Sequence, residues 1–366
     1  MNIECQKDKL SEVISRIEKI TNKNTPLPSL SCILLVAKDK NLICKATNLE
    51  IGVEITIPAK VNKDGIVAIP ANVLSQTIFN IYGGKVISLE EKDGILTIKN
   101  DLAEVKLKTL SYQEFPLIPR PEEEKSNPLK IKEIIDGIKA VIFCASPSSI
   151  KPELGSVYIY PENQSLIFVA TDSFRLAEKR IVSKQAENIL PLLIPQKNCA
   201  ELIRIFDGVS EEGVIVLGKN QISISTPSIY FTSRVVDGSF PDYKQIIPKQ
   251  NEANIHCLKE DLLDGLKTLS VVFDKFNQVT FSVDVKKGAL TLTSKNNDVG
   301  EGMSQVKIKG EGENVTVSFN QSYIRDAFLG LVDDSVKLAF GGAHKPLLIE
   351  GGGNSNFRYL VMPMNR

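Results

Sequence analysis

The side chains able to do chemistry in this 366-residue sequence are few and far apart. The six cysteines, Cys5, Cys32, Cys44, Cys144, Cys199 and Cys257, include no C-x-x-C pair. Zinc needs clustered thiolates or imidazoles, so these residues read as buried, reduced small hydrophobes. His256 and His344 are the only histidines, which starves triads and imidazole acid–base schemes. Carboxylates remain, as Thr171-Asp172 in a polar turn and Glu122-Glu123-Glu124 in a proline-rich stretch. Neither stands beside a base or a metal-binding cluster. Gly83-Gly84-Lys85 lacks the upstream glycine and the following Ser/Thr of a phosphate loop, and reads as a turn entering a strand. Gly351-Gly352-Gly353 follows a strand and opens no helix. The expectation is a protein without an active site, metal or cofactor.

Composition narrows the class further. The chain is 42% hydrophobic and 24% charged, enough to bury several cores over two or three domains. Lys+Arg and Asp+Glu both number 44, so any nucleic-acid surface must arise by segregating charge. The N-terminus, MNIECQKDKL, does not read as a signal peptide. Apolar runs such as Ile33-Leu34-Leu35-Val36-Ala37 fall short of the roughly 20 residues a membrane helix needs. A cytoplasmic protein is expected.

The elements that position these residues repeat three times. LICKATNLEIGV, LIFVATDSFRLA and LTLTSKNNDVGE begin at Leu42, Leu166 and Leu290, each 124 residues after the last. Each reads as a strand, a polar Thr/Asn/Asp turn and a second strand. A second register keeps step at 125 residues: Ile69-Pro70, Ile194-Pro195 and Phe319-Asn320 each precede a helical pattern. Its apolar faces are Leu74, Ile78 and Ile81; Leu202, Ile205 and Phe206; and Ile324, Ala327, Phe328 and Leu331. Each unit also opens with an amphipathic segment: LSEVISRIEKI, IKEIIDGIKAVIF and LKEDLLDGLKTLSVVF. Glu91-Lys92-Asp93-Gly94 is one of the turns expected between later strands. Two independent registers with constant spacing argue against chance similarity in a strand-rich chain. So long a period means repeated domains, not a solenoid. The expected domains are 1–122, 123–250 and 251–366. The stretches Phe115–Pro128 and Phe240–Asn254 combine prolines with charge and suit exposed linkers.

Several phrases carry a family resemblance. Ala170-Thr171-Asp172-Ser173-Phe174-Arg175-Leu176-Ala177 resembles the A-T-D-x-x-R-L-A motif of the bacterial β sliding clamp family, the processivity subunit of DNA polymerase III. Phe240-Pro241-Asp242-Tyr243 is similar to its F-P-D-Y phrase, and Tyr359-Leu360-Val361-Met362-Pro363-Met364 to its Y-x-V-M-P-M ending. Thr25-Pro26-Leu27-Pro28 and Phe115-Pro116 fit the first domain, so the likeness runs from end to end.

The resemblance implies an α+β DNA clamp fold: three repeated domains, each with two helices packed on antiparallel sheets, in a head-to-tail dimeric ring. It implies a non-catalytic subunit encircling double-stranded DNA. The expected partners are a second copy, the DNA polymerase III alpha subunit, the clamp loader and other clamp-binding-motif proteins. A Q-L-x-L-F-type peptide site is implied at Leu154, Thr171, Arg175, Leu176, Pro241, Ile246, Val361, Met362, Pro363 and Met364. Methionines suit such a site because they re-pack around different anchors. Phe174, Gln245 and the ending Asn365-Arg366 depart from the family, which more often has His, Arg and an apolar last residue.

A sliding tether must avoid base contacts, each worth about 1–3 kcal/mol, and use the sequence-independent charge of the backbone. The candidate DNA-facing cations are Arg16, Lys19, Lys23, Lys132, Lys139, Lys197, Arg204, Lys259, Lys267 and Arg325; a solvated surface is their alternative reading. Asn24 and Asn72 stand where relatives often carry arginine. Val105 and Leu107 on an edge strand, with Leu269, Val271 and Val272, are the candidate dimer interface, though the same residues would suit a core. Two other classes remain for comparison. An enzyme such as a nucleotidyl transferase needs a carboxylate metal cluster, and a repeat-built binding protein unrelated to DNA needs no basic hole.

Overall fold

The computed structural model describes residues 1–21, 27–121, 126–148, 150–218, 220–353 and 356–364. Lys23, Asn24, Thr25-Pro26, Glu122-Glu123-Glu124 and Asn365-Arg366 therefore lie outside the described residues. Among the described residues six α-helices form: α1 Lys7–Ile17, α2 Ala71–Asn80, α3 Ile131–Val141, α4 Gln196–Ile205, α5 Lys259–Thr268 and α6 Gln321–Gly330. Each buries the face that its i, i+3, i+4 spacing requires, such as Leu10, Val13, Ile14 and Ile17 in α1. Ile81, Phe206 and Leu331, expected on helical faces, lie just beyond the ends of α2, α4 and α6, yet all are buried.

Helix ends are closed by side chains that the apolar pattern does not reveal. Asn320 caps α6, accepting from the backbone N–H of Ser322 at 2.9 Å. Lys259 at the start of α5 donates to the Leu331 carbonyl just past α6 at 2.8 Å, and Lys7 at the start of α1 donates likewise to Ile81 past α2. Each cation satisfies a carbonyl that the helix leaves orphaned.

Among the described residues the strands form four antiparallel sheets, divided between a first compact unit, Met1–Ile135 with Ala200–Val235, and a second, Asp136–Cys199 with Val236–Arg366. In the first unit, five strands run Lys60–Lys63, Asn2–Gln6, Val86–Lys92, Ile95–Lys99, Glu104–Lys108. Eight more run Ser126–Lys130, Glu212–Leu217, Gln221–Ser225, Ile229–Arg234, Ile51–Pro58, Asn41–Thr47, Cys32–Lys38, Gly65–Pro70. In the second unit, nine run Leu192–Pro195, Ser156–Glu162, Ser165–Thr171, Arg175–Val182, Phe357–Val361, Leu347–Gly351, Ser335–Phe340, Ala253–Leu258, Lys309–Gly312. Four close it: Gly300–Lys307, Ala289–Asn296, Gln278–Asp284, Val315–Asn320.

Two of these sheets cross repeat boundaries. Val53 pairs with Phe231, and Ala177, 124 residues after Val53, pairs with Tyr359. Strand pairing therefore joins the first repeat to the second and the second to the third. For this reason the chain clusters into these two compact units, and not along the repeat boundaries.

The turns of the first register share one chemistry. Asn48 Oδ1 accepts the N–H groups of Glu50 and Ile51, and Asp172 Oδ1 accepts those of Phe174 and Arg175. Thr47 and Thr171 donate to the carbonyls of Ile51 and Arg175. These Asx turns hold Leu49 and Ser173 at φ of 75° and 76°, a conformation that the side-chain hydrogen bonds sustain. Thr171 and Asp172 are thus structural groups.

The exposed-linker expectation needs correction. Phe115 packs on Cys32, Leu34 and Ala68. Ile118 closes on Gly52, where an added Cβ would sit 2.6 Å from its Cγ2. Arg120 bonds Glu54 at 2.7 Å and stacks over Tyr230. Further on, Ser126–Lys130 is a strand. In the other stretch, Phe240 and the buried Tyr243 cover Ile167, Val169, Leu176 and Leu360. Both segments are straps over apolar sheet faces. The proline-and-charge reading failed because a segment laid on a sheet turns only some of its apolar positions inward and leaves its prolines and charges outside.

Candidate functional site

The A-T-D-x-x-R-L-A turn brings several expected peptide-site residues together. Arg175 pairs with Val361 across adjacent strands, and the N–H of Met362 donates to the Phe174 carbonyl at 2.8 Å. Met364 continues the tail, donating its N–H to Ser318 at 2.8 Å. Leu176 is buried in the cluster capped by Tyr243, with Phe240 and Ile247 packed against it. This places the Pro241–Ile246 segment beside the turn. Phe174 is 61% exposed, Ile246 47% and Met362 38%, so an apolar surface stands open next to Pro363 and Met364, which are half-buried. Leu154 and Val361 are buried, as is Thr171, whose hydroxyl is spent on the turn.

Arg175 is the most constrained side chain here. Its Nε donates to Asp172 Oδ2 at 2.9 Å, its other end donates to Asp326, and its guanidinium lies 4.6 Å over the Tyr323 ring. Arg175, implied by the resemblance as a peptide-site residue, is thus already bonded within the fold. Burial pushes the neighbouring Cys144 thiol and Tyr359 phenol well above their ordinary values, so both stay neutral beneath this ion cluster. Tyr359 donates to the Tyr323 carbonyl at 2.7 Å. Asp326 and Tyr323 were not anticipated, and nothing in the spacing of α6 marks them. Tyr243 had a signal in the F-P-D-Y phrase; its hydroxyl meets that of Tyr160 at 2.7 Å and donates to the buried Glu178.

The candidate DNA-facing cations divide. Lys19, Lys132, Lys139, Lys197, Lys267 and Arg325 are exposed. Arg16 and Arg204 are engaged within the fold. Arg16 donates to the carbonyls of Ile205 and Asp207 at 2.9 and 3.2 Å. Arg204 donates to those of Ser15 and Arg16. The two guanidinium groups thus close the C-terminal ends of α1 and α4 reciprocally, where helix dipoles favour positive charge. Lys259 is committed to the end of α6. These three were chosen for charge and helical position alone, and neither reports a carbonyl partner supplied by another helix. Lys23 falls outside the described residues.

At the candidate interface, Glu104–Lys108 ends the five-stranded sheet and leaves one edge unpaired among the described residues, with Val105 and Leu107 half-buried. Gly300–Lys307 ends the four-stranded sheet in the same way. Leu269–Val272 is a 3-10 turn after α5, with Leu269 buried, Val272 half-buried and Val271 exposed. Leu269 and Val272 lie under Gly302, where an added Cβ would sit 2.9 and 3.1 Å from them.

Comparison with known proteins decides the family. Residues 1–119, 128–242 and 244–365 match the N-terminal, central and C-terminal domains of the DNA polymerase III beta subunit. The chain belongs to the β sliding clamp family. A β sliding clamp of Bacillus subtilis is 26% identical, the match covering 100% of this chain and 99% of the relative. One from Synechococcus elongatus is 24% identical over the same shares. The crystal structure of the DNA polymerase sliding clamp from Bacillus subtilis superposes with a TM-score of 0.94 at 25% identity, covering 100% of this chain and 99% of that one. As a member of the clamp family, the chain has the role of a DNA sliding clamp, a non-catalytic processivity factor of DNA polymerase III. Its three-domain α+β clamp fold agrees with the threefold repeat read from sequence. No helix among the described residues is long and apolar enough to cross a membrane.

Proposed function

We propose that two copies of this chain close head to tail into a ring around duplex DNA, acting in the cytoplasm with domains at 1–122, 123–250 and 251–366. The observation that carries the proposal is the equivalence of its open edges to its closed joints. Phe231 lies opposite Ile224 on its own sheet and pairs across the joint with Val53, which lies opposite Ala46. Tyr359, opposite Ile349, pairs with Ala177, opposite Ala170. On the open edges, Val105 lies opposite Ile98 and Gly302 opposite Ser294. Repeating the joint between copies sets Val105 against Gly302, Lys106 against Glu301 and Leu107 against Gly300. Opposite charges then face each other on the outer side. The small Gly302 admits Val105 to Leu269 and Val272, with the exposed Val271 beside them. The paired edges no longer offer an open template.

Leu107→Asp would bury an unpaired carboxylate at this joint at a cost of roughly 3 kcal/mol, weakening the dimer about a hundredfold. Light scattering at micromolar protein checks the expected shift to monomer. On nicked circular DNA, with clamp loader and ATP, the unaltered chain is expected to stay bound until the circle is cut and then to slide off. Equal retention on linear and circular DNA excludes encirclement.

The exposed Lys19, Lys132, Lys139, Lys197, Lys267 and Arg325 are the cations we assign to the DNA backbone. The surface around Phe174, Ile246, Met362 and Met364 receives the Q-L-x-L-F-type peptides of the polymerase alpha subunit, the clamp loader and other partners. Met362→Ala with Met364→Ala removes two flexible anchors, and is expected to weaken peptide binding at least about tenfold while the dimer persists. Unchanged peptide affinity in a fluorescence titration rules out this site.

A further inference from the structure

We infer that the surface around Phe174, Ile246 and Met362 selects peptides carrying a cation beside their apolar anchors, and that Asp326 sets this preference. The inference rests on the peptide-site reading above and adds a sign of charge to it.

The case is a charge count built from geometry. Arg175, the cation at the centre of the site, is shared between two carboxylates, Asp172 and Asp326. One positive group between two negative ones leaves a net negative cluster. Stacking over Tyr323 further restricts the guanidinium, which is only 13% exposed, so a peptide carboxylate meets a cation already shared between two others. Asp326 is accessible, its side chain 33% exposed.

The flanking segment adds to the imbalance. Asp242 is exposed and receives a hydrogen bond at 2.7 Å from the Gln245 amide, a neutral donor that leaves its charge uncompensated. Lys244, the cation of the same segment, is bound to Glu162. Lys151, exposed near Leu154, has the carboxylate Glu153 two positions on in the chain. An incoming lysine or arginine meets the excess negative charge of the Asp172–Arg175–Asp326 cluster and the charge of Asp242. An incoming glutamate meets repulsion from both and finds Arg175 and Lys244 already paired. Charge complementarity at the rim of an apolar site acts chiefly through this contrast between right and wrong partners.

The test uses three fluorescein-labelled peptides with the core Gln-Leu-Ser-Leu-Phe, flanked by two serines, two lysines or two glutamates. Each is titrated with the full chain at low and high salt. At low salt the lysine peptide is expected to bind about tenfold more tightly than the glutamate peptide, with the serine peptide between. High salt should shrink the ratio, since rim charges are screened. Asp326→Asn should cut the ratio at least about threefold, and Asp242→Asn, on an exposed side chain, should cut it by a smaller factor. Glutamate-peptide affinity equal to or above that of the lysine peptide overturns the preference alone. So does a ratio that neither substitution changes. Failure of the serine peptide to bind overturns the peptide-site reading, and the preference with it.

Discussion

Raising the pH from 8 to 10 is expected to destabilise this chain by at least about 3 kcal/mol, the share of Cys5 and Cys257 alone and a large part of the stability of many domains. All six cysteines are free and buried, and burial pushes every one of their thiols up, those of Cys5 and Cys257 to about 12. An unfolded thiol ionises near pH 9, whereas the folded one holds its proton. The contribution of each thiol is therefore complete below pH 9 and is lost as pH rises toward its folded value. Above pH 9 each removes about 1.4 kcal/mol per pH unit, so most of the loss appears in one unit. Urea denaturation under reducing conditions at pH 8, 9 and 10 measures it. The double variant Cys5→Ala with Cys257→Ala should lose about 3 kcal/mol of this pH dependence while starting from a lower stability at pH 8. A stability that is flat from pH 8 to 10 contradicts the burial of these thiols.

The second large effect concerns how α3 approaches its sheet. Gly137 lies so close to Phe168 that an added Cβ would fall 2.4 Å from the ring. Phe168 is fully buried and has no room to retreat. Gly137→Val is expected to cost about 3 kcal/mol through overpacking. The first repeat solves the same contact differently. Val13 and Cys44 lie 124 residues before Gly137 and Phe168, both buried, with the bulk moved from strand to helix. The third repeat has Gly265 under Leu292, 2.9 Å from an added Cβ. Hence Phe168→Cys, which alone leaves a cavity costing roughly 3 kcal/mol, should partly rescue Gly137→Val. The double variant is expected to be more stable than the sum of its parts by about 2 kcal/mol. Additivity within about 0.5 kcal/mol in denaturant titrations would show that the two positions do not share one space.

The candidate site was legible only in part. The phrase containing Thr171, Asp172 and Arg175 was conspicuous because its side chains close a local turn, and local hydrogen bonds demand fixed residue types at fixed spacing. Asp326 and Tyr323 were silent because they reach Arg175 from a helix more than 140 residues away in sequence. The same blindness affected the cations. Arg16 and Arg204 have no local mark distinguishing them from Lys19 or Lys197, yet each closes the other's helix.

The sequence by itself determined the threefold repeat, the six helices with their buried faces, the Asx turns and the membership of the family, because each depends on residues within a few positions of one another or on constant spacing. Only the tertiary structure decided which strands cross the repeat boundaries, which linker aromatics become straps, and which charges are already spoken for. The polar face of the last sheet, with Gln278 and Thr280 bonded to Ser318, stands where the first repeat carries Cys32 and Leu34 beside Ala68, under a strap. Alternation along a strand fixes that one face differs from the other; what covers each face is set by segments far away in the chain, and periodicity carries no record of them.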